Sequence, residues 1–286
     1  MGTGDGTPRP ADELAGIKEG YRTAANLNAR SRIYRYNEDP YPWQRRVFDH
    51  LALPERCRLL EVGCGPGKLW QENADRLPTD LSVTLTDLSA GMLQEARRAL
   101  AGVGRRYGYA LAAAQALPFP AAQFDAVIAN HMVYHVPDKP ALFAEVRRVL
   151  RPGGRFYAAT NGAGGDELGA LLRRVDPAMH AAALAEAAAA MPTTHPRTFT
   201  VENGQEQLAP WFASVTVYRF TGATAVPEVE PVVTYVLSTP VYRRYLIGQR
   251  LEAFRRLLAE EIAAKGAFRI TGSTGIFEAV RDERQP

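Results

Sequence analysis

Nine consecutive residues limit the fold of this chain more than any others: Leu59-Leu60-Glu61-Val62-Gly63-Cys64-Gly65-Pro66-Gly67. A short apolar run delivers an acidic residue and then enters a turn with glycine at every second position. An apolar run of this length, bounded by a turn signal, reads as a buried strand. Glycines in the turn permit positive φ and let the backbone approach a ligand closely. A helix is expected next, with its N-terminal amides turned toward an electron-rich group.

The following residues repeat that unit. Ser82 to Thr86 is a second apolar run and ends at Asp87; Ser89 then caps a helix carrying Met92, Leu93, Ala96 and Leu100. Phe124 to Ala129 reads as a strand. Asp138 and Pro140 open a helix with Leu142, Val146, Val149 and Leu150 on one face, and Pro152-Gly153-Gly154 stops it before a strand from Arg155 to Thr160. Strands alternating with helices of this length imply an α/β fold with a mostly parallel sheet. Ligands of such sheets bind beyond the carboxyl ends of the strands.

On both sides of this stretch the pattern changes. Upstream, Asp12 caps a helix carrying Leu14, Ile17, Tyr21 and Ala25. Tyr34, Tyr36, Tyr41 and Trp43 then crowd together before a helix from Trp43 to Leu51. Downstream, Asp166 to Met191 reads as one Ala- and Leu-rich helix and Pro192 to Gly204 as a loop. Val215 to Phe220 and Gly275 to Val280 read as strands, separated by a long helix with Leu251, Phe254, Leu258 and Ile262 on one face and Gly266 past its end. The expected organisation is a disordered segment over 1–11, an N-terminal helical lid over 12–52, and one domain over 53–286 with a helical cap inserted near 162–204.

Bulk properties narrow the function. A chain of 286 residues buries an adequate core without staples. Its 34 basic and 31 acidic residues leave a net charge of +3, so no nucleic-acid partner is expected. The arginines at 30, 32 and 35 and at 243, 244 and 250 read as solvated faces. Cys57 and Cys64 lack the spacing of a disulfide framework or a zinc site, and no metal is expected. No segment approaches the roughly 20 apolar residues of a membrane span, and Met1 to Ala11 lacks the apolar core of a signal peptide. The expected location is cytoplasmic, with no membrane partner, as a monomer or a homodimer.

Two cofactor classes use a glycine turn of this kind. Dinucleotide sites need G-x-G-x-x-G, and here the third glycine position is Lys68. S-adenosylmethionine (SAM) carries no phosphate; it needs room for an amino-acid tail and a sulfonium, with an acidic strand end nearby. Glu-Val-Gly-Cys-Gly-Pro-Gly suits SAM better.

At this point the chain resembles the class I SAM-dependent methyltransferases, a group with a Rossmann-like seven-stranded sheet and helices on both faces. The turn looks like their first motif, and Thr84 to Ser89 looks like their second. Ala114 to Pro120 followed by Phe124-Asp125 looks like the adenine-edge loop and the fourth strand, and Leu150 to Gly154 like the turn before the fifth. The resemblance covers Tyr41 to Asn161. It implies SAM as cofactor and S-adenosylhomocysteine as product, held by Glu61, Gly63, Cys64, Gly65, Gly67, Asp87, Leu88, Met92, Gln115, Ala116 and Asn130. Asp87 would accept hydrogen bonds from both ribose hydroxyls, and Leu88 and Met92 would flank the adenine. Family members often carry an aspartate before the adenine-edge loop. Ala112, Ala113 and Ala114 stand here instead, leaving Gln115 or backbone groups to serve.

Glu61 has two readings: it orients the glycine turn through backbone hydrogen bonds, or it touches the cofactor's amino group. His131 and Tyr134, beyond the fourth strand, and Tyr21, on the N-terminal helix, are the candidate catalytic or substrate-orienting residues. Asp166, Glu167 and His195 fall in the expected cap. Methyl transfer from a sulfonium demands mainly alignment in a dry pocket, with a base only where the acceptor must lose a proton. The expected activity is methyl transfer to a small acceptor, such as a natural-product phenol or indole of secondary metabolism. An RNA or protein methyltransferase and a non-catalytic SAM-binding protein are the alternatives.

Overall fold

A computed structural model describes residues 32–190 and 199–283. The expected 1–11 segment, the helix bearing Tyr21, and His195 lie outside the described residues. Seven strands form one sheet: β1 (Arg56–Val62), β2 (Asp80–Asp87), β3 (Arg106–Leu111), β4 (Phe124–Asn130), β5 (Leu150–Asn161), β6 (Ser214–Val226) and β7 (Phe268–Val280), in the order β3-β2-β1-β4-β5-β7-β6. β1 to β5 pair in parallel with their neighbours, and β7 runs antiparallel to both β5 and β6. The chain winds outward from β1 in one direction and from β4 in the other. The crevice where the winding reverses therefore opens at the carboxyl ends of β1 and β4.

The central strands are buried on both faces, which is why they read as continuous apolar runs rather than as alternating ones. Leu59, Leu60, Val83, Leu85, Val127 and Ile128 are all solvent-inaccessible. On one face pack α1 (Trp43–Asp49), α2 (Lys68–Glu72) and α3 (Ala90–Leu100), through Val47, Leu69, Trp70, Leu93, Ala96 and Leu100. On the other packs α4 (Lys139–Val149), whose Leu142, Phe143, Val146 and Val149 meet Phe156, Phe199 and Phe277. Both expected caps form: Ser89 Oγ accepts from the Met92 amide at 3.2 Å and Asp138 Oδ1 from the Ala141 amide at 2.9 Å.

The expected helix from Asp166 to Met191 is two helices, α5 (Glu167–Val175) and α6 (Pro177–Ala190). Pro177 is the cause. It lacks the amide a continuing helix needs, and its ring drives the preceding residue out of the helical region. Asp176 accordingly sits at φ −164, ψ 104. Its carboxylate is put to use there, accepting from the Met179 amide at 2.9 Å and from Arg250 at 2.9 Å.

After α7 (Gly204–Leu208), β6 and β7 are each 13 residues long, twice the expected length. Asn161, the end of β5, is level with Thr274, which pairs with Phe220; β6 and β7 then pair for six more positions, to Val226 and Phe268. This ribbon projects past the carboxyl edge of the sheet. It carries α8 (Val229–Leu237), α9 (Pro240–Tyr245) and α10 (Gln249–Lys265). Leu171, Leu172 and Met179 of the first helical stretch pack with Val232, Val236, Leu246, Phe254 and Leu258 of the second, closing over Val226 and Phe268. The helical cap is thus built from two stretches, and only the first and α10 were expected. Residues 32–39 brace the ribbon from outside: the Glu38 amide donates to Ala223 O at 2.9 Å, and Glu38 pairs with Arg269 at 2.6 Å.

Phe254 is the fully buried centre of the cap cluster. Phe254→Ala should cost about 3–5 kcal/mol of stability, as large-to-small core substitutions do, measured by urea denaturation. A loss near zero would show that the two stretches do not share a core.

Candidate active site

At the crevice, three glycines take positive φ: Gly63 at 66°, Gly65 at 54° and Gly67 at 77°. The turn they form is tied to β2. The Cys64 amide donates to Thr86 O at 2.9 Å, and the Gly65 amide to Asp87 Oδ2 at 2.9 Å. Asp87 Oδ1 accepts from the Ser89 amide at 2.8 Å. One carboxylate therefore joins the glycine turn to the start of α3, and each of its oxygens keeps a lone pair for a further donor. Burial raises the Asp87 pKa, and the amides of Ser89, Gly65 and Leu88 hold it down in opposition.

The three glycines serve different ends. A Cβ on Gly63 would stand 2.9 Å from Met132 Cγ, and one on Gly67 3.2 Å from Leu100. A Cβ on Gly65 would meet nothing within 4 Å. Gly63 and Gly67 thus permit packing, while Gly65 turns bare backbone toward open space. Cys64 is a buried packing residue whose thiol pKa is raised well above normal by burial, so it holds no reactive thiolate.

Glu61 is buried, and its Oε2 accepts from the Trp70 indole at 2.5 Å. One of its oxygens is thereby occupied by a side chain of α2. Trp70 is a site residue that sequence reasoning missed; its spacing from Glu61 does not show that the turn folds α2 back over β1. Desolvation pushes the Glu61 pKa up to about 8, with the Trp70 bond lowering it and Asp87 raising it. Asn130, at the end of β4, lies close enough to lower it slightly. Both polar atoms of the Asn130 amide are nevertheless buried without a hydrogen-bond partner among the described residues.

The adenine-edge loop docks beside Asp87, through the Ala112 amide to Asp87 O at 3.1 Å. Gln115 is half-buried and Ala116 exposed. Glu145 and Arg148 of α4 hold this loop: Glu145 accepts from the Leu117 amide at 2.7 Å, and Arg148 donates to Leu117 O and Phe119 O at 3.0 and 2.7 Å. They too were missed. Pro118 and Pro120 leave the loop short of amide donors, and the charged side chains of α4 substitute. Leu88 is half-buried next to Asp87. Met92 is only 1 % exposed, so it presents almost no surface to a ligand in this conformation.

His131 follows β4 in the left-handed region at φ 51, uncommon for a residue with a Cβ. Its ring lies 5.5 Å from that of Trp43, which meets Phe220 edge-on at 5.8 Å. Desolvation pushes the His131 pKa down to about 4, so the imidazole is neutral near pH 7. Tyr134 turns away from this group: it packs against the α4-side core, with its ring 4.5 Å from His135. No group of three or more His, Cys, Asp or Glu that could hold a metal occurs among the described residues.

Comparison with known proteins fits this geometry. Residues 60–158 match the family model described as Methyltransferase domain. The chain carries a class I SAM-dependent methyltransferase domain, with SAM as its cofactor. It is 35 % identical over 116 residues to a ubiquinone/menaquinone biosynthesis C-methyltransferase of Hahella chejuensis, covering 40 % of this chain and 47 % of that one. It is 41 % identical over 119 residues to a 27-O-demethylrifamycin SV methyltransferase of Amycolatopsis mediterranei, covering 39 % and 42 %. The match thus spans about half the length of these curated relatives. In fold, it aligns with phosphoethanolamine N-methyltransferase 2 of Haemonchus contortus in complex with SAM, at a TM-score of 0.57 and 18 % identity, over 97 % of this chain and 61 % of that one.

Two outcomes follow from the turn. Between about pH 4.5 and 8 the unfolded chain has released the Glu61 proton and the folded chain retains it. Stability of the ligand-free protein therefore falls as pH rises through that window, by at most about 1.4 kcal/mol per pH unit. Glu61→Gln should flatten this slope in thermal melts; parallel slopes would place the ionisation elsewhere. Gly65→Ala, at a cost of about 1–2 kcal/mol for its left-handed backbone, should fold and yet bind S-adenosylhomocysteine at least about tenfold more weakly (about 1.4 kcal/mol). Gly63→Ala, which collides with Met132, should damage folding and binding together.

Proposed function

We propose that this protein transfers the methyl group of SAM to a small acceptor with a flat, apolar body, such as a phenol or indole. The observation that carries the reading is the arrangement at the reversal point of the sheet. Bare backbone at Gly65, the Asp87 carboxylate and the buried Asn130 amide stand on one side, with the Trp43, His131 and Phe220 rings beside them. The relatives named for small-molecule methylation support it.

The residues present fit the cofactor. Asp87 has lone pairs free for the ribose hydroxyls, Gly65 leaves room for the amino-acid tail, and Asn130 has a donor and an acceptor to offer. Leu88, Gln115 and the loop at Ala116 would border the adenine. Bound SAM supplies a methyl group already activated on a sulfonium, which departs as a neutral thioether. The protein's own contribution is alignment and exclusion of water. Negative charge at Asp87 favours the cationic donor over its neutral product. The aromatic rings seat the acceptor, and the cap above the carboxyl edge encloses it. No helix among the described residues is long and apolar enough to cross a membrane. We place the reaction in the cytoplasm, in secondary metabolism, by a monomer or homodimer, with no nucleic-acid partner.

Calorimetry with S-adenosylhomocysteine, and its detection as a product with a panel of phenols and indoles, test this reading. Asp87→Asn keeps the size of the side chain but replaces one acceptor oxygen with a donor. It should weaken binding about tenfold or more, a loss of about 1.5–3 kcal/mol typical of charge-assisted hydrogen bonds. Absence of heat with both SAM and S-adenosylhomocysteine would overturn the assignment; binding without turnover would make the protein a SAM-binding regulator.

A further inference from the structure

The Trp43 indole nitrogen is buried and, among the described residues, has no hydrogen-bond partner. The neighbouring His131 ring makes ring contact with Trp43. A buried N–H without an acceptor is costly, and native proteins rarely leave one without a functional reason. Here a buried donor without a partner among the described residues and a neutral imidazole lie on neighbouring rings, with centroids 5.5 Å apart. Phe220 closes one side against Trp43 and also meets His50 edge-on at 5.4 Å. Trp43 begins α1, while His131 follows β4, so the pair spans the gap between the N-terminal segment and the reversal point of the sheet.

We propose that Trp43 and His131 form a two-point clamp for a single hydroxyl group, which makes the acceptor atom an oxygen and the substrate class phenols or enols. The Trp43 N–H donates to the hydroxyl oxygen, and the hydroxyl donates to a nitrogen of the neutral His131 ring. The oxygen's remaining lone pair then points at the methyl group. As the oxygen–methyl bond forms and the methyl–sulfur bond breaks, the hydroxyl proton passes to His131 and from there to solvent. The sulfonium leaves as the neutral thioether, so charge and protons balance. His131 gains a partner only when an acceptor with a proton to give is bound. This assignment rests on the methyltransferase reading above and narrows it to one acceptor atom.

A hydroxyl clamp must distinguish a phenol from its methyl ether, because the ether leaves the His131 acceptor unpaired. The test is equilibrium dialysis of para-cresol and its methyl ether against the full chain saturated with S-adenosylhomocysteine. Binding of S-adenosylhomocysteine, measured first, tests the methyltransferase reading separately. The native chain should bind the phenol at least about tenfold more tightly than the ether. Trp43→Phe keeps the ring and loses the donor; it should weaken both ligands. His131→Gly tolerates the left-handed backbone and should abolish the preference between them. Equal affinity for phenol and ether in the native chain overturns the proposal, as does failure to bind the phenol. Unchanged phenol affinity in Trp43→Phe overturns it too, and would mean that the indole N–H meets only water.

Discussion

The geometry of the site depends on one carboxylate. Asp87 accepts from the Gly65 amide with one oxygen and from the Ser89 amide with the other, so the ends of β1 and β2 and the start of α3 are held as one unit. Charge-assisted bonds to backbone amides are stronger than neutral ones, and they add to the β1–β2 pairing and to the packing of α3 on the same core. The cost is a buried acid beside a second one, Glu61, whose proton is retained to about pH 8. With Glu61 neutral, the negative charge left beside the turn is that of Asp87, which suits a cation.

Two kinds of support surround that unit. The sheet is rigid because its central strands are buried on both faces and paired in register with their neighbours. The cap is attached differently, through the β6–β7 ribbon, the Asp176–Arg250 pair and a separate apolar cluster. It therefore has a core of its own. The reaction centre proposed at the carboxyl edge would lie between a fixed floor and a roof joined to it by a two-stranded stem.

The floor was legible in the sequence. Strands buried on both faces produce short apolar runs, the turn needs glycines, and Ser89 and Asp138 announce their helices. Those signals are local, and they placed β1, β2, β4, α3 and α4 within a few residues; β5 begins at Leu150 and takes in the Pro152-Gly153-Gly154 run that reads as a turn. The edges were not legible in this way. β3 is an edge strand with no fully buried residue, and the outer halves of β6 and β7 are rich in Thr, Gly and Ser, which masks them as strands although Ala223 and Thr224 are buried and Val226 and Phe268 are buried beneath the cap. The break at Pro177 was local, and the Ala-rich composition around it hid it. Of the site, Asp87 and the glycines could be read directly; Trp70, Glu145 and Arg148 could not, since each acts on a residue from another element.

By itself, then, the sequence determined the α/β class, the glycine turn and the acid that ends the next strand. These follow from periodicity and from backbone conformations that only certain residues adopt. Tertiary structure alone decided what those groups meet: that one Glu61 oxygen accepts from Trp70, that the Asn130 amide is buried near Glu61, and that Trp43 from the first helix faces His131 from beyond the fourth strand. Such meetings are between residues distant in the chain, brought together by the reversal in strand order. No local pattern encodes them, because the burial that gives them their chemistry exists only once the sheet has closed against its helices.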